Sequence, residues 1–192
     1  MEESMCLSPD DEEELDPTVQ LWLYLFQSQH CMRYAEHGGP EYYKKSMELI
    51  DKAIEHTPTV LELYIHKAKL YQRMGDPKRA AQLTEEARKL DLADRYLNAH
   101  SSKYLFKDNQ IQEANDTMAL FSRDQENRKL NVHEMQTFWY EMHCGMANFR
   151  NKDYRLALKE FSYIDKHYTI MFDDCLDFFF CSSRRGTVMH YL

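Results

Sequence analysis

The sequence predicts an all-α protein, an α-solenoid of stacked antiparallel helix hairpins. Three observations predict it. Glycine and proline number five each in 192 residues, too few for a turn-rich β protein, and no segment alternates well enough to read as a strand. Small residues recur at a step of 34: Ala53 leads to Ala87, Ala80 to Ala114, and Gly75 to Asn109, which tolerates the left-handed backbone that a helix–helix turn often needs. The form returns in "GMANFRNKDYRLALKEFSYID" (145–165), with Gly145, a turn at Asn151–Asp153, Ala157 and Phe161. A period of 34 with a glycine or asparagine turn is the tetratricopeptide signature.

Each element follows from this frame. Residues 1–17 form an acidic leader, because "SPDDEEELD" (8–16) carries six acids in nine positions and such a run cannot bury itself. Helices are expected over 18–36, 41–56, 59–74, 77–90, 93–106, 110–122, 131–149, 153–167 and 171–189, with Pro40, Pro58 and Pro77 suited to first-turn positions. The turn in "EHGGPEYY" (36–43) reads as wider than usual. Tyr64, Ala68 and Tyr71 fill the aromatic, small and tyrosine places of a first repeat helix; Ala80, Thr84 and Ala87 fill those of a second, where Thr84 replaces the usual large apolar residue. The step from Ala114 to Ala157 is 43, and the polar run "SRDQENRKLN" (122–131) is where the extra residues belong. In the last unit Trp139 stands near the aromatic slot, with Gly145, Ala157 and Phe161 after it.

Small residues let neighbouring helices approach to roughly 8–10 Å. Ala68 and Ala80 therefore mark the tightest part of their hairpin, and Tyr64, Leu70, Tyr71, Leu83 and Leu90 are expected to fill the groove to the next one. The end "FDDCLDFFFCSSRRGTVMHYL" is apolar where a solenoid wants a polar cap. Residues 18–192 thus read as a repeat domain incomplete at both ends.

The sequence offers little chemistry. A net charge of −8 disfavours general DNA binding. The most apolar segment, "VQLWLYLF" (19–26), is too short to span a membrane, and the N-terminus lacks a signal peptide. Five scattered cysteines without a C-x-x-C pair read as reduced thiols of a cytoplasmic protein. Nine histidines show no spacing of a metal site, and no intrinsic cofactor or phosphate loop is indicated. The acids Asp173, Asp174 and Asp177, near Asp165 and His167, read as charges at a helix start rather than as a catalytic pair, so no enzyme is expected. In "ADRYLNAHSSKYLFK" (93–107), His100, Lys103 and Lys107 fall within about 60° on a helix, flanked by Arg95 and Tyr104. From composition this is either a polyanion site or a solvated face.

The runs "TPTVLELYIHKAKLYQRMGDPKRAAQLTEEARKLDLADRYLN" (57–98), "KYLFKDNQIQEA" (103–114), "NVHEMQTFWYE" (131–141) and "DYRLALKEFSYIDKHYTIMFDDCLDF" (153–178) add a further signal. Their order and spacing, from about Leu21 to the end, resemble a central slice of the auxiliary, ribosome-anchoring subunit of the N-terminal acetyltransferase A complex. The resemblance implies a helical solenoid without catalytic residues. Such a subunit wraps a small acetyltransferase, reshapes its active site and ties it to the ribosome, where nascent chains beginning with Ser, Ala or Thr are acetylated. It also implies inositol hexakisphosphate as a structural ligand against the basic helix, with Arg95, Lys103, Tyr104 and Lys107 matching and His100 standing where relatives carry a lysine. The alternative is a generic tetratricopeptide adaptor that grips a peptide or protein partner.

Overall fold

A computed structural model describes residues 16–122 and 127–174. Among them every regular element is a helix: α1 (Pro17–Gly38), α2 (Glu41–His56), α3 (Leu61–Arg73), α4 (Pro77–Leu90), α5 (Arg95–Lys107), α6 (Ile111–Ala119), α7 (Arg128–Glu134), α8 (Phe138–Arg150) and α9 (Tyr154–Asp174). The chain divides into two compact units, one ending at Leu83 and the other beginning at Thr84, so the boundary falls inside α4. No described helix is long and apolar enough to cross a membrane.

The sequence period is written in the turns. Gly75, Asn109 and Lys152 take φ values of 85°, 62° and 65° at equivalent places. In each turn the following amide reaches back across the helix end: Asp76 to the Tyr71 carbonyl (2.9 Å), Gln110 to Leu105 (3.0 Å) and Asp153 to Asn148 (3.0 Å). These bonds satisfy carbonyls that a helix end would otherwise orphan. The next helix then opens the same way three times, with the amides of Ala80, Ala114 and Ala157 donating to the carbonyls of Asp76, Gln110 and Asp153. The carboxylates of Asp76 and Asp153 cap the amides of Arg79 (3.0 Å) and Leu156 (3.1 Å). Space around Gly75 is open, so its backbone angle, not crowding, asks for glycine.

In the first unit α1 packs along α2 and both meet α3. Leu21, Leu25, Met32, Ile50, Ala53, Leu63 and Leu70 form its core. Two serines fix the closest approach. Ser28 Oγ donates to the Ser46 carbonyl (2.8 Å) and Ser46 Oγ donates to the Ser28 carbonyl (2.7 Å). His66 of α3 completes the cluster, its Nε2 3.0 Å from Ser28 Oγ. In the second unit the hairpins α5/α6 and α8/α9 stack through α5 and α6 on α8, and α7 lies on α6. Ser102 donates to the Ala114 carbonyl (2.8 Å) and Asn98 to that of Thr117 (2.9 Å), joining α5 to α6. Arg150 spans the two hairpins, donating to Asn109 Oδ1 (2.7 Å) and to the Phe106 carbonyl (2.6 Å).

Gly145 sets the spacing of α8 and α9. A β-carbon there would stand 2.4 Å from Cε1 of Phe161. Overpacking a fitted core costs roughly 1–3 kcal/mol. Gly145→Leu should lower the stability of the second unit by about that much, and Gly145→Ala by less, with Phe161→Leu restoring part of either loss. Urea unfolding followed by Trp139 fluorescence reads this directly; an unchanged midpoint in Gly145→Leu would refute the close approach.

Several expectations are corrected. Helix α1 runs on to Gly38 and α2 begins at Glu41, so the first turn is short; Gly39, at φ 117°, makes it possible. Helix α1 also begins at Pro17, inside the expected leader, with Asp16 Oδ1 accepting from the Thr18 amide at 2.7 Å. The rest of the leader lies outside the described residues. The helix expected over 131–149 is two, because Gln136 at φ 53° breaks it after α7. The expected break after residue 167 does not occur, and α9 continues to Asp174. Asp173 and Asp174 therefore end a helix instead of starting one, and Asp177 lies outside the described residues. Leu90 is exposed and does not fill a groove, whereas Leu70 is buried.

Candidate functional site

Helix α5 carries the basic residues singled out above. Asp94 starts it by accepting from the Tyr96 amide (2.7 Å). From there the 3.6-residue period brings His100, Lys103 and Lys107 onto a common face. The Lys107 ammonium sits 4.7 Å above the ring of Tyr104, which is buried and whose hydroxyl is pushed up to about 12 by that burial. Tyr104 thus serves as a platform for Lys107, a cation–π contact worth roughly 0.5–1 kcal/mol. Burial also holds His100 below its ordinary value, reinforced by Lys103 and Lys107 and opposed by its bond to the Tyr96 carbonyl (3.2 Å). His100 therefore adds a ring, not a charge, at neutral pH. Arg95 lies on another face, its guanidinium 5.5 Å over the ring of Phe121. The structure brings together His100, Lys103, Tyr104 and Lys107 and leaves Arg95 apart.

The small and bulky repeat positions sit as follows. Ala68, Ala80, Ala87, Ala114 and Ala157 are buried, as is Thr84. Tyr64 donates from its hydroxyl to the Pro58 carbonyl (2.8 Å), and Arg79 lies 5.7 Å over Tyr71. Gly145 faces Phe161. Trp139 is partly exposed beside His143, and its neighbour Tyr140 is the buried aromatic.

Sequence reasoning missed a buried polar cluster in the second unit. Glu141 of α8 is fully buried, and its Oε1 lies 2.6 Å from His167 Nε2 and 3.2 Å from His133 Nδ1. His133 stacks on Tyr163 at 3.9 Å and its other nitrogen lies 3.6 Å from Glu160. Both imidazoles aim at the same carboxylate oxygen. Among the described residues no group of three or more His, Cys, Asp or Glu is arranged to hold a metal ion. No spacing rule could have found this cluster, because His133, Glu141 and His167 come from three helices and meet only when these pack.

The family model of the auxiliary subunit of N-terminal acetyltransferase A matches residues 2–192. This chain belongs to that family. It is 35% identical over 184 residues to the N-terminal acetyltransferase A complex auxiliary subunit NAA15 of Arabidopsis thaliana, covering 96% of this chain and 20% of that protein. It is 35% identical over 180 residues to the N-alpha-acetyltransferase 16, NatA auxiliary subunit, of Mus musculus, covering 94% of this chain and 20% of that one. The solved structure of Naa15/Naa10 bound to HypK-THB superposes with a TM-score of 0.67 at 26% identity, over 92% of this chain and 30% of that one. The chain thus spans about a fifth of the length of these curated relatives. The fold class read from the 34-residue step, an all-α helical solenoid, agrees with that superposition.

Proposed function

We propose that this chain is a non-catalytic scaffold segment of an N-terminal acetyltransferase A auxiliary subunit, binding the catalytic subunit for co-translational acetylation of nascent chains. The observation that carries this reading is the match of residues 2–192 to the auxiliary-subunit family, supported by the superposition on a chain solved as Naa15/Naa10. Stacked hairpins suit such a role, since each leaves an elongated side surface for holding a partner. A cytoplasmic place at the ribosome goes with the same reading. Co-expression with a catalytic subunit tests it. The expected result is co-purification, with acetylation of peptides beginning in Ser or Ala; a catalytic subunit that stays unbound would overturn it.

The same reading gives the basic face of α5 inositol hexakisphosphate as its ligand. Lys103 and Lys107 share that face and Tyr104 holds Lys107 in place, while Arg95 points elsewhere. A ligand at about a hundred times its Kd stabilises the folded state by about 2.7 kcal/mol. Lys103→Glu with Lys107→Glu should abolish the thermal shift that inositol hexakisphosphate gives, and Arg95→Ala should leave most of it. A shift that survives the double charge reversal would remove this face from the account.

A further inference from the structure

The basic face of α5 includes one group that is not a fixed cation. His100 stands about one turn before Lys103 and about two before Lys107, on the same face. Its Nδ1 lies 3.2 Å from the Tyr96 carbonyl, one turn back. A carbonyl only accepts, so Nδ1 carries the hydrogen. The Tyr96 ring packs on the imidazole, with centroids 4.2 Å apart, and helps hold it in this orientation. In the neutral ring Nε2 is then a bare acceptor. It has no partner among the described residues and is not sealed from solvent.

A bare acceptor is the wrong group to meet a phosphate or sulfate, whose oxygens are acceptors too. Protonation reverses this. The proton lands on Nε2, so the face gains a positive charge and an N–H donor at one atom. An N–H of that kind makes a charge-assisted bond to an anionic oxygen.

The surroundings decide when this happens. Without a ligand, burial holds the imidazole below its ordinary value, and Lys103 and Lys107 repel a third charge beside them. The Tyr96 carbonyl and the Asp94 carboxylate pull the other way. Helices α4, α6 and α8 touch α5, yet among the described residues no charged group of theirs acts on the ring. A polyanion lying across the face offsets the repulsion from the two lysines and accepts from Nε2–H. It therefore favours the protonated ring, and by reciprocity the protonated ring favours the polyanion. Affinity is flat while the ring stays neutral in both states. It rises, by at most about tenfold per pH unit, as pH falls from the liganded value toward the unliganded one, and changes no further below that.

We propose that His100 is a binding residue of the α5 polyanion site and makes it proton-gated, so that mild acid tightens its hold on a multiply charged phosphate or sulfate. The gate rests on the polyanion reading of this face given above and on no other part of the proposed function. The test uses the full chain and the probe myo-inositol hexakissulfate, whose own charge is constant over the range, with inositol hexakisphosphate in parallel. From about pH 7.5 to about pH 6.0 the Kd of the hexasulfate should fall at least about threefold in the parent chain and less than about 1.5-fold in His100→Gln. His100→Lys is charged throughout, so at the higher pH it should bind at least as tightly as the parent does at the lower one, with a flat profile. The imidazole signals of His100 should titrate at a higher pH with the hexasulfate bound than without it. Lys103→Glu with Lys107→Glu should abolish binding at both pH values. Equal pH dependence in the parent and His100→Gln, or a His100 titration that the hexasulfate leaves unmoved, overturns the gate and leaves the polyanion site standing. Binding that survives the double charge reversal, or no binding at either pH, overturns site and gate together.

Discussion

Glu141→Ala should destabilise the second unit by about 3–5 kcal/mol, enough to unfold much of it at 37 °C. The residue is fully buried on α8 and is the shared acceptor for His133 and His167. Deleting the carboxylate strands two inward imidazoles and opens a cavity at the place where α7, α8 and α9 meet. Each stranded donor costs about 1–3 kcal/mol, and the cavity adds to that. Glu141→Gln keeps the shape and one oxygen, so it should lose only about 1–2 kcal/mol. The informative variant replaces the whole set. His133→Phe keeps the stack on Tyr163, and His167→Phe extends the ring contacts around Phe138 and Tyr168. Combined with Glu141→Leu, the two changes remove donors and acceptor together, and an apolar core of similar volume is often no less stable than the polar set it replaces. The triple variant should therefore unfold at a higher urea concentration than Glu141→Ala. Trp139 fluorescence during urea unfolding reports the unit. A triple variant weaker than the single one would show that the polar set contributes more than the donors it satisfies.

This cluster marks the boundary between what was legible in the sequence and what was not. Local features were legible. Gly75 and Asn109 announced left-handed turns, and Ala80, Ala114 and Ala157 announced where the next helix begins, because backbone conformation and side-chain size act at fixed offsets. Lys152 takes the same backbone angle without announcing it, as lysine has no preference for that conformation. Gln136 breaks a helix for the same hidden reason. The basic face of α5 was legible because a helix fixes angular spacing, but the turn of Arg95 toward Phe121 was not, since Phe121 lies on a later segment. Long-range polar partners were beyond reach altogether. Asn115 and Tyr140 are 25 residues apart, and Glu141 and His167 are 26 apart, so neither pair leaves a local mark.

The first unit should lose stability in mild acid, and His66 is the cause. Burial holds its imidazole at about 4, helped by the nearby charges of Lys69 and Arg73. Ser28 Oγ spends its proton on the Ser46 carbonyl, so it accepts from the Nε2–H of neutral His66. A second proton would have to go on Nδ1, in the interior and beside two cations. In the unfolded chain the same ring titrates at the ordinary value of 6.5. Between these values the unfolded state binds the extra proton and the folded state refuses it, so stability rises with pH. The contribution is fully present above pH 6.5, is lost as pH falls from 6.5 to about 4, and changes no further below that. A shift of this size corresponds to about 3 kcal/mol, since each pH unit is worth about 1.4 kcal/mol. Trp22 lies on α1 of this unit and reports its unfolding. The parent chain should therefore show a steep fall in urea midpoint between neutral pH and pH 4.5, whereas His66→Gln, which retains a donor for Ser28 but cannot titrate, should start lower and fall with a slope smaller by about one proton. Parallel slopes for the two proteins would mean that His66 is not the group that senses the acid, and that its place between Ser28, Lys69 and Arg73 leaves it free to charge in the folded state.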